Sequence, residues 1–444
     1  MVKTIHQNFI RTFRKAIENT ASACVGCGKC YEVCPITDAA QIGGLNAQAI
    51  TSSVRGILKG TQTDVNAEIW ANSCVLSGEC ISKCDYGVNP RLMLAMARMV
   101  LSERKLDSQD RKSQGLGAFK ALGNSVKVLS KMQLEREDLD RLGQGKTGKT
   151  SHTRRQPDYV FYTGCNVLKT PHIALLCLDI MDALNLHYEV LGGPSHCCGI
   201  LQYRAGDIET SSKVATNSIE KFIRTGAKEV LSWCPTCQVQ YAEFGLPTYE
   251  KVTNSKPFEM TPFVLFLETK IQELKPLLRN RVEQKIALHL HPGIHGLPEA
   301  ARNLLRAVPG IEIIDLELPE IGLMSNSLST VPRLKKNLQH DELKAAEAAG
   351  IDALAAVYHA DHRELCAHER DMPFQIINFL EIIGAAMGIY RNDYFKSLKI
   401  KQDSEAILAD CAPILSSHGI SNDQARPIIE SALLGEQPLP LRGQ

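Results

Sequence analysis

The sequence predicts a multi-domain α+β protein, in which an N-terminal all-α-helical domain precedes an α/β domain built as an internal duplication. Three observations support this fold class. Seven cysteines of the N-terminal region lie between segments whose apolar residues have helical spacing. From residue 159 onwards, short apolar strands alternate with helices, which is typical of a parallel sheet. The residue pattern that begins at 159 then recurs at 286, which indicates an internal repeat.

The 444 residues are enough for two or three domains with separate cores. We expect a helical domain over 1–103, a linker over 104–157, a first α/β repeat with an intact site over 158–275, and a degenerate second repeat plus C-terminal helices over 276–444. The charged, Gly-containing stretch after 102 favours a linker with a helix at 119–142 inside it. Its basic cluster at 146–155 is better explained as solvated linker than as a docking patch for a partner.

Composition excludes several classes of function. With 50 basic and 49 acidic residues, the net charge of +1 argues against a nucleic-acid partner. The 15 cysteines fall mostly in metal-ligand groups, which predicts a reducing, cytoplasmic setting rather than a disulfide scaffold. The charged first 20 residues do not fit a signal peptide, and no long apolar window predicts a membrane span. The longest apolar stretch, 374–390, is predicted to be a buried helix, and any contact with the inner face of a membrane would be made through a partner.

Helical segments surround the N-terminal cysteines. An amphipathic helix is predicted over 5–19, and the apolar residues on its buried face are Ile5, Phe9, Ile10, Phe13 and Ile17. Two more helices are predicted at 46–59 and 65–71, and a fourth follows Pro90, where proline suits the first helical turn. This all-helical frame differs from the short hairpins of small bacterial ferredoxins.

The first cysteine group has the spacing of a bacterial ferredoxin run. Its members lie three, three and four positions apart, and Pro35 closes the run; the cysteines are Cys24, Cys27, Cys30 and Cys34. Gly26 and Gly28 would let backbone amides face the sulfur atoms. The run therefore predicts iron–sulfur binding, while a structural zinc knuckle would use only four of the seven cysteines in this domain.

The second group repeats that spacing with two changes. It comprises Cys74, Cys80 and Cys84, with Ser77 at the position of the missing cysteine and Asp85 at the position of the proline. In ferredoxins with two runs, the last cysteine of each run ligates the cluster of the other run. This rule assigns one 4Fe–4S cluster to Cys24, Cys27, Cys30 and Cys84, and a second cluster to Cys34, Cys74 and Cys80. Three thiolates fit a 3Fe–4S cluster, or a 4Fe–4S cluster completed by Ser77 or water; Ser77 as a helix cap or loop residue is the open alternative.

Five further cysteines follow predicted strands of the α/β domain. They are Cys165, Cys197, Cys198, Cys234 and Cys237. Open α/β sheets place their sites at the carboxyl ends of strands, so these thiols are expected to meet. Five thiolates exceed what zinc or a single cubane cluster accepts. A structural zinc held by four of the five is the alternative.

The second repeat keeps the pattern without the cysteines. Residues 286–293 align with 159–166, which places Pro292 at the position of Cys165, and 322–325 occupies the region of the cysteine pair. His359 and His362 align with Cys234 and Cys237, while the segments starting at Pro257 and Pro373 each head a predicted helix.

The histidines of this repeat could converge on a zinc or iron ion; they are His289, His291, His295, His359 and His362. With no carboxylate or cysteine partner evident, we expect them instead to pack or to face solvent. Cys177 and Cys366 are interpreted as buried thiols, and Cys411 is left unassigned.

Both cysteine patterns resemble known families. The N-terminal domain resembles the α-helical ferredoxin of succinate dehydrogenase iron–sulfur subunits and of the heterodisulfide reductase ferredoxin subunit, except at Asp85. The motif Cys197-Cys198-Gly199, with the later Cys234-Pro-x-Cys237, resembles the catalytic subunit of heterodisulfide reductases. The whole chain therefore resembles the D-type fusion of these C-type and B-type subunits. The resemblance implies that Cys165, Cys197, Cys198, Cys234 and Cys237 hold a catalytic noncubane 4Fe–4S cluster.

The implied function is that of an oxidoreductase subunit. Electrons would come from a flavoprotein or another redox subunit and reach a thiol, disulfide or persulfide substrate, either a small molecule or a carrier. A single intact repeat favours a sulfur-oxidising relative or an electron conduit over a strict heterodisulfide reductase. The alternative is the iron–sulfur subunit of a flavin-dependent hydroxy-acid or glycerol-3-phosphate dehydrogenase that passes electrons to quinone, although such subunits usually carry two complete runs. A zinc scaffold would leave the ferredoxin cysteines unexplained.

Overall fold

The computed structural model describes residues 2–61, 64–144, 156–436 and 439. The N-terminal domain is all-helical, as predicted, and its helices are α1 (Val2–Ala23), α2 (Lys29–Glu32), α3 (Ala47–Lys59), α4 (Val65–Ser73) and α5 (Pro90–Lys105). Polar residues begin the longer ones, since the side chains of Asn46, Asp64 and Asn89 accept hydrogen bonds from backbone amides of the first turn. The two cysteine-bearing loops lie between α1 and α3 and between α4 and α5.

The segment expected to be a linker is largely helical in its described part. It forms α6 (Ser108–Lys131) and α7 (Arg136–Arg141), so the first of these begins eleven residues before the helix predicted at 119 and ends well before 142. Asp107 caps α6 through two amides, which explains why a helix starts within a charged, Gly-containing stretch. The basic cluster at 146–155 lies outside the described residues.

The first α/β unit contains one four-stranded parallel sheet. Its strands are β1 (Tyr159–Tyr162), β2 (Tyr188–Leu191), β3 (Glu229–Ser232) and β4 (Glu259–Pro262). Its helices are α8 (Pro171–Ala183), α9 (Ile200–Arg204), α10 (Ile208–Thr225), α11 (Pro235–Val239), α12 (Leu246–Thr253), α13 (Phe263–Thr269) and α14 (Ile271–Leu274). The strand order is β2-β1-β3-β4. From β1 the chain adds β2 on one side of the sheet and then β3 and β4 on the other, so the topological switch point lies between β1 and β3.

The second unit has a sheet of the same order, β6-β5-β7-β8, and all pairs are again parallel. Its strands are β5 (Gln284–His289), β6 (Ile311–Ile313), β7 (Ala353–Ala356) and β8 (Gln375–Asn378). Its helices are α15 (Leu297–Arg306), α16 (Pro332–Ala348), α17 (His359–Leu365) and α18 (Phe379–Met387), followed by α19 (Tyr394–Lys401), α20 (Ser404–Ser417) and α21 (Asn422–Ile428).

Short irregular helical segments connect these elements. The 3₁₀ segments are Asn166–Lys169, Pro194–His196, Lys275–Leu277, Ser325–Thr330 and Cys366–Arg370, and the π segments are Gln240–Gly245 and Ile429–Leu434. No helix of the described chain has the length and apolar character needed to cross a membrane.

Two local expectations differ from the structure. The apolar stretch 374–390, predicted to be one buried helix, forms a strand, β8, and then a helix, α18. The segments after Pro257 and Pro373 likewise form strands first, β4 and β8, and helices second. Short apolar runs do not distinguish a buried strand from a buried helix, which explains both errors.

The three parts of the chain share their cores. Phe13 of α1 packs edge-on against Phe244 of the first unit, with ring centroids 4.6 Å apart. Trp233, which follows β3, packs against Tyr358, which follows β7, at 6.4 Å. Both rings are almost fully buried. Phe9 and Phe13 of the predicted apolar face of α1 therefore cover the first α/β unit, whereas the side chain of Ile5 lies outside the described residues. The two sheets meet through aromatic residues at their strand ends.

Arg91 of α5 connects all three parts. Its guanidinium pairs with Glu243 of the first unit and donates to the Leu76 carbonyl of the second cysteine loop, at 2.9 Å, and to the Gly293 carbonyl of the second unit, at 2.6 Å. The Arg91 residue is only 6% exposed. A buried guanidinium needs several acceptors, and here each part of the chain supplies one.

Candidate metal centres

The first cysteine loop bends at two glycines. Gly26 and Gly28 have φ angles of 73° and 88°, and a Cβ on Gly26 would lie 2.4 Å from Ser52 Oγ. The Gly26 amide donates to the sulfur of Cys24 and lowers its pKa, but burial outweighs that bond and raises the pKa overall. Glycine at these positions thus permits the amide–sulfur contact expected from the sequence.

Four thiols of the two loops form one group. The charges of Cys27 and Cys84 act on Cys24, and those of Cys24 and Cys27 act on Cys30, whose pKa burial raises to about 12. Lys29 Nζ lies 2.5 Å from Asp85 Oδ2, which ties the loop of Cys27 to the residue after Cys84. The structure thus places Cys24, Cys27, Cys30 and Cys84 together, with an ion pair at the position where Asp85 replaces proline.

The other three thiols form a second group. Burial raises the pKa of Cys80 to about 12, and the charges of Cys74, Cys30 and Cys34 act on it in the same direction. The indole Nε1 of Trp70 donates to Cys34 Sγ at 3.3 Å. Cys34 thus lies within electrostatic range of Cys74 and Cys80, and Cys30 of the first group is also within range of Cys80.

Ser77 lies in the loop between Cys74 and Cys80 and is 7% exposed. It caps neither neighbouring helix, since Cys74 ends α4 and Asn89 begins α5. Leu76 before it has a φ of 66°, a left-handed conformation that is uncommon for leucine. The loop geometry therefore removes the helix-cap explanation and leaves a buried hydroxyl in the loop that carries two of the three thiols.

The five cysteines of the first α/β unit form one continuous group. Hydrogen-bond contacts join Cys165 to Cys197, Cys197 to Cys198, Cys198 to Cys237 and Cys237 to Cys234, the third of these at 3.5 Å between sulfur atoms. Each of the five is at most 6% exposed. They follow β1, β2 and β3, so the group lies at the carboxyl ends of these strands, at the topological switch point of the sheet.

Electrostatics within the group are uneven. Hydrogen bonds from Cys165 and Cys198 lower the pKa of Cys197 to about 4. The contacts with Cys197 raise the pKa values of Cys165 and Cys198 well above the usual range, and contacts with Cys198 and Cys234 do the same for Cys237, with burial adding to each. Five thiolates can therefore coexist here only with a multivalent cation between them. This donor set fits a metal–sulfur cluster and exceeds the four ligands of a zinc ion.

The wall of this site has little spare volume. Gly164 has a φ of 72°, and a Cβ there would lie 2.8 Å from the Cβ of Cys234. The Tyr162 hydroxyl, fully buried, donates to the His196 carbonyl at 2.8 Å and lies 3.5 Å from Cys237 Sγ. The backbone and one phenol thus enclose the thiols on the sheet side.

A cavity of about 470 Å³ lies beside the loops that carry these cysteines, and its lining includes sequence neighbours of the thiols. Its lining includes Ile200, two residues after Cys198, and Thr236, between Cys234 and Cys237. Leu76 of the second ferredoxin loop also lines it. Arg98 and Arg204 face the same space, and within the described part of the chain neither side chain forms an ion pair. The cavity therefore borders the loops of two cysteine groups, and two arginines without an ion pair among the described residues line it.

The second unit brings together two of the five histidines considered from the sequence. His289 Nε2 lies 3.1 Å from His291 Nε2, and Asp361 Oδ1 lies 3.5 Å from His291 Nε2. The Glu342 carboxylate contacts His289 Nδ1 at 2.7 Å. Burial lowers the pKa of His289, but Glu342 overcomes this and raises it to about 9. The expectation that no carboxylate partner exists is therefore wrong.

The other three histidines lie elsewhere. His295 is exposed, and His359 is fully buried with neither ring nitrogen bonded within the described residues. His362 Nε2 lies 2.6 Å from Asp393 Oδ2, beside His172 of the first unit. His172 Nδ1 and Nε2 lie 3.6 Å from Asp393 and 3.7 Å from Glu381, so two histidines face two carboxylates in a compact, charge-compensated set. The five histidines thus do not form a single site.

Strand register corrects one alignment of the two units. Tyr159 of β1 pairs with Glu229 of β3, and Ile286 of β5 pairs with Ala353 of β7. If 159 corresponds to 286, Cys234 corresponds to Tyr358 and Cys237 to Asp361, not to His359 and His362. The pairings of β4 and β8 agree with this correspondence, because Glu229 and Ala353 pair with Glu259 and Gln375, which each lie two residues after the aligned prolines. A slip of one residue therefore hid Asp361, and no sequence spacing pointed to Glu342 or Ser325.

All fifteen cysteines are free thiols. Cys177, Cys366 and Cys411 lie outside the three cysteine groups and are buried in apolar cores, which agrees with their interpretation as buried thiols for the first two.

Two known domain families match parts of the chain. The family described as a 4Fe-4S dicluster domain matches residues 23–89, and the family described as a cysteine-rich domain (CCG) matches residues 159–241. A search among curated proteins returned no match. The chain is thus an iron–sulfur protein of the oxidoreductase type, with an N-terminal domain of 4Fe–4S dicluster type and a cysteine-rich domain consistent with a further iron–sulfur cluster.

Proposed function

We propose that the chain is the iron–sulfur subunit of a heterodisulfide reductase-like complex. It relays electrons between its ferredoxin domain and a sulfur substrate at the five-cysteine site. The observation that carries the proposal is the mutual contact of five buried thiols, beside a cavity lined by Thr236 of their loops and by Leu76 of the second ferredoxin loop. A noncubane 4Fe–4S cluster held by Cys165, Cys197, Cys198, Cys234 and Cys237 would supply one-electron chemistry and an iron atom that binds sulfur.

The cavity favours an anionic sulfur compound. Its walls are mostly apolar, while Arg98 and Arg204 contribute positive charge without a carboxylate partner in the described chain. Arg204 acts electrostatically on Cys198, Cys234 and Cys237, so it lies within range of the thiols. A substrate with an apolar body and a carboxylate, sulfonate or phosphate would place its charge on these arginines and its sulfur near Thr236.

The order of the cysteine groups supports a relay. Val25, next to Cys24, and Tyr86, two residues after Cys84, are 49% and 51% exposed, so the loops of the first group reach the surface. The second group borders the cavity through Leu76. A flavoprotein or other redox subunit would dock beside the first group, and this docking would also be the route to any association with a membrane.

The second α/β unit belongs to the same proposal as a duplicated copy of the first. Support comes from the identical strand order and from the common register of β3 with β4 and of β7 with β8. In this interpretation the copy lost its cysteines after duplication, which leaves a single five-cysteine site in the complex.

Iron analysis with spectroscopy tests the function. Anaerobically prepared protein should contain about eleven irons, or about twelve if Ser77 or water completes the second cluster. Addition of an anionic disulfide or thiol should change the electron paramagnetic resonance signal of the oxidised five-cysteine site. Cys198→Ser should abolish that change, whereas Cys177→Ser, a buried thiol outside the sites, should retain it.

Two results would contradict the proposal. An iron content near four with zinc present would remove the relay, and a signal unaffected by any sulfur ligand would leave only an electron conduit. The matched domains do not favour the alternative of a hydroxy-acid or glycerol-3-phosphate dehydrogenase subunit. Replacement of Arg204 by glutamine should weaken the response to a charged disulfide and spare the response to a neutral one.

A further inference from the structure

The second unit contains a set of donor atoms that the relay does not use. His289 is the last residue of β5, His291 follows two residues later, and Asp361 lies in α17 after β7. Strands β5 and β7 are the two central strands of the sheet, so the set of donor atoms lies at the topological switch point. One nitrogen or oxygen from each residue can be chosen so that all three lie within 4.8 Å of one another.

Hydrogen bonds fix the orientation of both imidazoles. His289 Nδ1 faces the Glu342 carboxylate at 2.7 Å, and His291 Nδ1 faces the Ile321 carbonyl at 2.7 Å. Both partners are acceptors only, so each Nδ1 must carry the proton that it donates. In the neutral rings, the lone pairs of His289 Nε2 and His291 Nε2 then face each other at 3.1 Å.

Asp361 adds negative charge without enough donors. Its Oδ1 accepts from the Ser325 amide at 2.8 Å, and its Oδ2 has no hydrogen-bond partner among the described residues. The side chain is fully buried. A proton on His289 would satisfy the contact between the two rings, but Asp361 Oδ1 would still face the lone pair of His291 at 3.5 Å. A divalent cation satisfies all three contacts at once.

We propose that His289, His291 and Asp361 bind a divalent transition-metal ion in the second α/β unit. Two imidazole nitrogens 3.1 Å apart can both lie about 2.0–2.1 Å from one ion. Asp361 and Glu342 would balance its two charges. Glu342 and the Ile321 carbonyl would act as positioning groups, since metal-bound histidines usually donate their other ring nitrogen to such acceptors.

The site opens towards a cavity of about 480 Å³ that both histidines and Ser325 line. Three protein ligands leave at least one coordination position for water or a small ligand in that space. The Ser325 hydroxyl, 3.0 Å from His289 Nε2, lies at the same point. The backbone also connects this site to the ferredoxin domain, because the Leu323 amide donates to the Val75 carbonyl at 3.1 Å.

Zinc is the appropriate probe. Nitrogen and oxygen sites bind Zn²⁺ more tightly than Fe²⁺, so a site that accepts either ion must accept zinc. Cluster-loaded protein is equilibrated with zinc, its metals are counted, and zinc X-ray absorption identifies the ligands. We expect one zinc per chain with nitrogen and oxygen neighbours at about 2.0–2.1 Å and no sulfur at about 2.3 Å.

Four variants test the residues. His291→Gln and Asp361→Asn should each reduce bound zinc at least tenfold while the iron content stays unchanged. Glu342→Gln should weaken zinc binding about 10–100-fold, because it removes only the orienting acceptor. His295→Gln, which replaces a nearby exposed histidine, should leave zinc binding as in the parent protein.

Three results would overturn the site: less than a tenth of a zinc per chain, sulfur ligands on the bound zinc, or equal zinc loss in His295→Gln. The iron count shows whether each variant has folded, and the site requires loss of zinc in at least one iron-replete variant. The relay predicts the iron and its spectrum independently of zinc, so either proposal can fail while the other holds.

Discussion

The two α/β units use the same sheet for different donor atoms. In both sheets the order in which strands are added switches sides between the two central strands, and in both the donor atoms follow those central strands. The first unit places five thiols there, and the second places two imidazoles and a carboxylate. The sheet thus determines where a site lies, while a few residues after the strands determine which chemistry it supports.

The largest effect should come from breaking the thiol group of the first unit. Cys197→Ser removes the sulfur to which Cys165 and Cys198 both donate, so the protein should lose about four of its irons. Iron and sulfide analysis of anaerobic protein provides the measurement. Cys366→Ser, in the core beside the second unit, is the matched control, and an equal loss in both variants would contradict the comparison.

The charged set between the units should be next in magnitude. Burial lowers the pKa of His172, but Asp393 and Glu381 outweigh it and raise the pKa above its usual value, while Lys396 opposes them. A raised histidine pKa stabilises the fold fully below about pH 6.5, and this contribution disappears as pH rises through the raised value. His172→Gln should therefore cost about 3 kcal/mol at pH 6 and less at pH 9.

Urea unfolding at the two pH values measures this difference. His340→Gln, at an exposed position of α16, is the control. An equal cost at both pH values would show that His172 contributes packing and not charge.

The second sheet should be stable on its own packing. Leu354 of β7 is fully buried against α6 and the C-terminal helices, so Leu354→Ala should lower the free energy of unfolding by about 2–5 kcal/mol. Iron content should not change, because no cysteine group lies in that core. Leu116→Ala, half exposed on α6, serves as control; iron loss in Leu354→Ala would mean that the first unit depends on the second sheet.

The smallest effect is expected at the ion pair between the ferredoxin loops. Lys29 and Asp85 are both more than half exposed, so solvent screens their attraction. Lys29→Ala should leave thermal unfolding and iron content within error at physiological salt. A clear loss of iron would show that this pair holds Cys84 in place where the related domains have proline.

Sequence periodicity predicted most elements near the first two sites. The helix over 5–19, the helices at 46–59 and 65–71, and the strands at 159 and 229 all form within a few residues of their expected bounds. Capping residues and cysteine spacing act over a few residues, so their effect on local structure does not depend on the tertiary fold.

What the sequence did not reveal depends on tertiary contacts. Glu342 lies 53 residues from His289 and meets it only because the fold brings α16 to the end of β5. Asp361 was missed because the alignment made from the sequence is shifted by one residue relative to the strand register of the structure. The helix over 108–131 depends on the cap at Asp107 and on packing against the α/β units, which override its glycines.

The contacts of Arg91 limit how the protein can be divided into separately produced fragments. A separately produced N-terminal domain would keep the bond to Leu76 but would leave Glu243 and Gly293 on the other fragment. It would also expose Phe9 and Phe13, whose partner Phe244 belongs to the first α/β unit. The two fragments would therefore have to be made together and re-associate as a heterodimer. A split-gene version should succeed only as a co-expressed pair.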